Sequence, residues 1–218
     1  MGRVYPNRKM KAAIIANGVI ADYAATRRKL RDADYLIACD GGLRHFPLLG
    51  LSPHCLIGDF DSAPAPLLAE YQSRGIPVIP FPPEKDETDL ALAVAHALSA
   101  HPESITILGA LGGRMDHTLA NFHVLAQTGN VPTEIWDENT RIQLLRPGAA
   151  VPLHREGYAT LSLIPLTSQV AGITTQGLKY PLHNETLRAG ETRGVSNVFA
   201  TQTAAVCIQS GLLLAIMA

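Results

Sequence analysis

The chain has 218 residues, 47% hydrophobic and 17% charged, with 18 glycines and 15 prolines, a composition that excludes a disordered or fibrous chain. Its 18 basic and 19 acidic side chains leave a net charge of −1, which excludes a general polyanion binder; no nucleic acid is expected as partner, whereas a small phosphorylated ligand needs only local positive charge. No stretch approaches the ~20 consecutive apolar residues of a membrane span, so no membrane partner is expected.

The first ten residues are basic and lead into an apolar run at 12–16 that Asn17-Gly18 soon breaks. That run is too short for the core of a secretory signal. Cys39, Cys55 and Cys207 are odd in number and form no CxxC pair, which points to a reducing, cytoplasmic setting. Up to about residue 130, short apolar runs alternate with helix-like segments. The runs at 12–16, 35–39, 55–57, 78–80 and 105–108 carry no polar alternation and predict buried strands. Between them 20–31, 43–49, 64–73 and 89–98 predict helices; in the last, Leu90, Val94 and Leu98 recur every four residues. The alternation predicts a Rossmann-like α/β fold, a mostly parallel sheet with flanking helices, whose ligands bind beyond the C-terminal ends of the strands.

From Thr133 the pattern changes. Short runs at 134–136, 141–145, 158–163, 170–174, 195–200, 204–209 and 212–216 are separated by breakers such as Pro147-Gly148 and Ser210-Gly211. This predicts an antiparallel β-sandwich. The chain is therefore read as two domains, an α/β domain over residues 1–131 and a β-sandwich over 132–218.

Four polar clusters fall where the first domain's strands should end. Cys39-Asp40-Gly41-Gly42 offers two glycines whose amides can approach a phosphate closely. In Gly58-Asp59-Phe60-Asp61-Ser62 the two aspartates are two apart; extended backbone would aim both at one spot, where a cation relieves their repulsion. Solvated turn residues are the other reading of that pair taken alone. In Lys85-Asp86-Glu87-Thr88-Asp89, Asp86 is read as the helix N-cap with Asp89 at N3, and Lys85 as a charge for phosphate. Gly112-Gly113-Arg114-Met115-Asp116-His117 follows the 105–108 run and presents Arg114 as a planar anion grip. His117 and His123 stand at no metal-ligand spacing. An all-oxygen acidic set favours Mg²⁺, and Mg²⁺ with Lys and Arg is the equipment of phosphoryl or nucleotidyl transfer. No GxxxxGK[ST], HRD or DFG occurs, so neither a P-loop enzyme nor a protein kinase is expected.

With Gly177-Leu178-Lys179-Tyr180-Pro181-Leu182 and Gly194-Val195-Ser196-Asn197 added in order, these motifs make the chain resemble the thiamine pyrophosphokinases over nearly its whole length. The resemblance implies transfer of a pyrophosphoryl group from ATP to the hydroxyl of thiamine, giving thiamine diphosphate and AMP, in a homodimer with a site shared between subunits. It implies that Asp59, Asp61 and Asp89 hold Mg²⁺, that Asp40 completes the acidic cluster, and that Lys85 and Arg114 contact phosphates. It further implies that Gly41, Gly42, Asp86, Thr88, Gly112 and Gly113 line the nucleotide, and that Asp116, Ser196 and Asn197 lie near thiamine. One departure stands out: where eukaryotic members carry a tryptophan after the Ser-Asn pair to stack on thiamine, this chain has Val198-Phe199, and its one tryptophan is Trp136. The competing readings are a diphosphokinase acting on a pterin alcohol and a metal-dependent nucleotide-sugar transferase.

Overall fold

The structure is a computed structural model and describes residues 10–218. The basic N-terminal stretch, apart from Met10, lies outside the described residues. The chain divides into two compact units after Glu138. In the first, strands β1 (Lys11–Ile15), β2 (Tyr35–Cys39), β3 (Cys55–Gly58), β4 (Val78–Pro80), β5 (Ser104–Leu108) and β6 (Thr133–Trp136) form a parallel sheet in the order β6-β5-β1-β2-β3-β4. Ile14 sits between Ile37 and Ile107 in the ladder, so the central strands bury apolar side chains on both faces. On one face Ala13, Ile15, Leu36, Ala38 and Leu56 pack with Leu43, Phe46, Leu49 and Tyr71.

The helices of this unit are α1 (Tyr23–Lys29), α2 (His45–Leu49), α3 (Ala65–Ser73), α4 (Asp89–Ser99) and α5 (Met115–Val124). Helix α4 packs across β1, β2 and β3 and buries Leu90, Ala93, Val94 and Ala97. Its two large members, Leu90 and Val94, are worth about 1.5–3 kcal/mol each in removed apolar surface, and the alanines let the helix lie close. The run at 134–136 does not open the second unit, as its composition predicts. It becomes β6, which pairs parallel with β5 through Ile107 and Ile135, and so belongs to the first sheet. A three-residue apolar run satisfies either pairing, and sequence alone does not choose.

The second unit is all β: β7 (Arg141–Leu145), β8 (Val151–His154), β9 (Thr160–Pro165), β10 (Gln169–Gln176), β11 (Glu185–Arg188), β12 (Asn197–Val198), β13 (Thr203–Cys207) and β14 (Leu213–Met217). They make two antiparallel layers, β12-β9-β14-β7 and β11-β10-β13-β8. Leu145, Leu161, Leu163, Leu213 and Met217 from the first layer meet Leu153, Val170, Ile173, Leu187 and Val206 from the second in one core. Alternation of inward apolar and outward polar side chains along each strand produces this packing. Among the described residues no helix is long and apolar enough to cross a membrane.

Candidate active site

The parallel sheet winds outward from β1 toward β4 on one side and from β5 toward β6 on the other. A crevice therefore opens beyond the C-terminal ends of β1 and β5. A cavity of about 670 Å³ lies at these strand ends, large enough for a nucleotide. Its lining comes from Asn17 after β1, Asp40 after β2, Asp59 and Ser62 after β3, Lys85 ahead of α4, and Arg114 after β5.

Asp40, Asp59 and Asp89 each present a carboxylate oxygen within 4.8 Å of the others. At that separation two like charges repel by about 3 kcal/mol at an effective dielectric of 20. Lys85 partly offsets this: its Nζ lies 2.8 Å from Asp59 Oδ2 and 3.1 Å from Asp89 Oδ1, with Pro82 O at 3.1 Å. One ammonium against three carboxylates still leaves a formal charge of −2. The Lys85 hydrogen bond holds Asp59 below the usual carboxylate range. Burial pushes Asp89 up; Lys85 pulls against it, and the charges of Asp59 and Asp40 add to the rise. For Lys85 burial acts downward, but the hydrogen bond to Asp59 and the close Asp89 carboxylate outweigh it, and the ammonium titrates above an ordinary lysine.

Asp40 Oδ1 and Asp89 Oδ1 are buried with no hydrogen-bond donor among the described residues. The contact of Asp89 Oδ1 with Lys85 has the length of an ion pair but not the direction of a hydrogen bond. Buried oxygen acceptors lacking donors, in a cluster with net negative charge, fit a hard divalent cation.

Asp61 is not part of the cluster. Phe60 adopts φ +62°, so the backbone between the two aspartates is not extended and the expected alternation fails. The Asp61 N–H turns back to Asp59 Oδ1 at 3.2 Å, and its side chain lies exposed at the rim of the cavity. Asp40 takes the third place instead, from a backbone with φ +48° at the end of β2.

Other expected residues divide in the same way. Asp86 and Thr88 line the cavity, but Thr88, not Asp86, caps α4, its Oγ1 accepting from the Ala91 N–H at 3.2 Å. Gly113 lines it; Gly41, Gly42 and Gly112 do not among the described residues. A side chain at Gly42 would meet Ile15 O at 2.1 Å and one at Gly41 the Asn17 amide at 2.5 Å. Those two glycines serve close packing of the β2 end against β1 rather than an open amide cradle. Arg114 and Asp116 are both exposed and face each other through two bonds, Nη2–Oδ2 at 2.5 Å and Nε–Oδ1 at 3.2 Å. The guanidinium holds the Asp116 carboxyl down at about 2.

The family model "Thiamin pyrophosphokinase, catalytic domain" matches residues 26–136, and "Thiamin pyrophosphokinase, vitamin B1 binding domain" matches residues 151–213. The chain belongs to the thiamin pyrophosphokinase family. The thiamine pyrophosphokinase of Bacillus subtilis is 31% identical to it, over 77% of this chain and 79% of that protein. The crystal structure of thiamine pyrophosphokinase from Bacillus subtilis matches with a TM-score of 0.85 at 28% identity, covering 95% of this chain and 98% of that one. Thiamine pyrophosphokinase 1 of Oryza sativa subsp. japonica is 30% identical over 74% of this chain; the match spans 64% of the rice protein, just under two thirds of its length.

Ser196 and Asn197 lie in the part matched by the family's vitamin B1 binding domain. Ser196 has φ +59° and its N–H donates to Ser162 Oγ at 3.0 Å, leaving its own side chain exposed. Asn197 is engaged with backbone: Oδ1 accepts from the N–H groups of Tyr180 and Val198 at 3.1 and 2.8 Å, and Nδ2 donates to Tyr180 O at 2.7 Å. Its amide fixes the loop that carries the exposed Tyr180. Phe199 is buried in the sandwich core.

Sequence reading missed Asn17, Ser62 and Asn121 as members of this thiamin pyrophosphokinase cleft. Asn17 Nδ2 donates to Ser62 Oγ at 2.9 Å, Ser62 Oγ donates to Asp40 Oδ2, and buried Asn121 Nδ2 donates to Ala110 O at 2.8 Å. Asn17 had a signal, since it directly follows the predicted strand at 12–16, and Ser62 had one as the last residue of the Gly58–Ser62 acidic cluster; Asn121, on α5, had none.

Proposed function

We propose that this chain transfers a pyrophosphoryl group from ATP to the hydroxyl of thiamine, releasing AMP, with the acidic cleft of the first unit as the nucleotide site and Mg²⁺ as the metal. The observation that carries the reading is the convergence of Asp40, Asp59 and Asp89 on one another, with Lys85 paired to the last two, at the strand ends of a thiamin pyrophosphokinase fold. Asp40, Asp59 and Asp89 would hold the cation, with Asp61 a further carboxylate at the rim. When bound, the cation neutralises phosphate oxygens. The thiamine oxygen forms a bond to the β-phosphorus, the bond from that phosphorus to the α,β-bridging oxygen breaks, and that oxygen leaves with AMP. The hydroxyl proton departs late to a carboxylate or water, because a loose transition state needs no strong base. Lys85 and Arg114 supply the positive charge that this chain itself brings to the phosphates; Arg114 must exchange Asp116 for phosphate to do so.

In this reading Ser196, Asn197 and the exposed Tyr180 belong to the thiamine side, and the protein is a homodimer with the thiamine site shared between subunits. The exposed apolar side chains Ile164, Val195 and Val198 of the second unit support a partner surface. Three free cysteines, two of them buried, support a cytoplasmic enzyme. The test is a parallel assay with ATP and a divalent cation, offering thiamine, a pterin alcohol or a nucleotide sugar. AMP formation with thiamine alone is the expected result; turnover confined to either other substrate would refute the assignment.

A further inference from the structure

We propose that Ser62 and Asn17 are positioning residues that set the divalent-cation affinity of the acidic cluster. The proposal rests on the metal reading above and names what aims the cluster. Ser62 Oγ carries one proton, and it is donated to Asp40 Oδ2. Toward Asn17 the same oxygen must therefore accept, from Nδ2 at 2.9 Å, which fixes the way the Asn17 amide is turned. Asn17 is itself held: its backbone carbonyl accepts from Arg44 Nη2 at 2.7 Å, and its side-chain amide, whose Oδ1 is buried with no donor among the described residues, lies where a side chain at Gly41 would be, 2.5 Å away. The relay Asn17 to Ser62 to Asp40 thus ties together the C-terminal ends of β1, β3 and β2.

Its effect on Asp40 is specific. One carboxylate oxygen is occupied by Ser62 and the other, Oδ1, stays buried without a donor. Asp40 sits at φ +48°, outside the strand geometry that would otherwise direct its side chain, and Ser62 supplies its one side-chain hydrogen bond among the described residues. Removing the hydroxyl frees the carboxylate to rotate, so that cation binding must then order it. Outer partners of metal-binding carboxylates typically tune affinity by about 10-fold to 100-fold.

The experiment measures Mn²⁺ binding to the full chain directly, by the electron paramagnetic resonance of free Mn²⁺, with Mg²⁺ as competitor and without nucleotide. Ser62→Ala is expected to weaken Mn²⁺ binding by about 10-fold or more, Asn17→Ala to shift it in the same direction, and Ser62→Thr, which restores a hydroxyl, to recover most of the affinity. Ser62 is exposed, and its alanine variant should unfold at the parent's temperature, which separates aiming from folding. Unaltered Mn²⁺ affinity in Ser62→Ala, or no recovery in Ser62→Thr, would overturn the relay. Asp89→Asn tests the underlying reading separately: if it binds Mn²⁺ as tightly as the parent, the metal site itself is wrong. If Asp89→Asn loses binding while Ser62→Ala does not, only the relay falls.

Discussion

Replacing Lys85 by methionine removes the one ammonium that the fold places between Asp59 and Asp89. The side chains of Lys85 and Asp59 are each 11% exposed and that of Asp89 is 22% exposed, so the lost contacts lie in a largely water-poor site. Breaking such a pair and leaving carboxylates behind costs about 1–3 kcal/mol when some solvent still reaches the group. For a chain of this size each kcal/mol moves the midpoint by about 2–4 °C, so Lys85→Met should melt roughly 2–12 °C below the parent in chelator at pH 7. The pH dependence has a definite sign. Asp59 is held below the ordinary carboxylate range by Lys85; its stabilising contribution is complete above about pH 4 and is lost as pH falls through its folded value. Without Lys85 that contribution is absent, and Asp89 is relieved of repulsion by protonation, so the gap between parent and variant narrows from pH 7 toward pH 3. Thermal unfolding across that range is the assay. Equal midpoints at pH 7, or a gap that widens in acid, would refute this account of the cluster.

His45 is buried, its Nδ1 2.8 Å from the Tyr23 hydroxyl and its Nε2 3.0 Å from Gly18 O. Burial, and then Arg44, push the imidazole below its ordinary 6.5, against the pull of the Gly18 carbonyl. The unfolded chain therefore binds the proton more readily, and stability should rise with pH up to about 6.5 and then level; denaturant titrations from pH 5 to 8 should show this slope in the parent and not in His45→Asn. Gly42→Ala places a methyl 2.1 Å from Ile15 O and should cost about 1–3 kcal/mol of stability, seen as a lowered melting point; a raised KM for ATP with unaltered melting would instead restore the phosphate-cradle reading. Asn197→Ala removes three hydrogen bonds to backbone and should destabilise the second unit by about 1–3 kcal/mol. Faster hydrogen exchange confined to the Tyr180 loop and β12 would locate that loss, and unaltered exchange there would contradict it.

The parallel sheet was legible because buried central strands read as continuous apolar runs, and the spacing of Leu90, Val94 and Leu98 marks α4. Two strands escaped. β8 contains Pro152, and β11 is Glu-Thr-Leu-Arg with only Leu187 buried; both sit at the edges of their layer, where one apolar side chain is enough and no periodic signal builds up. In the site, Asp40, Asp59, Asp89 and Lys85 were named from their positions at strand ends, which the sheet's polarity brings to one place. The role of Asp61 could not be read the same way, because the alternation rule assumes extended backbone and nothing in Phe60 announces a positive φ. Asp-Gly-Gly was read as a phosphate turn for a similar reason. Small residues are needed both for close approach of a ligand and for close approach of another strand, and here Ile15 and Asn17 are the neighbours.

In the proposed reaction the hydroxyl substrate attacks the β-phosphorus of ATP in the acidic cleft. This step is tested most directly by giving the enzyme thiamine, Mg²⁺ and ATP labelled at either the α- or the β-phosphorus, and separating the products. The expected result is that β-label appears in thiamine diphosphate while α-label stays in AMP, in equal amounts, and that Asp59→Asn and Asp89→Asn each lose both products together. Label at the β-position retained in ADP, or full turnover in either variant, would contradict it.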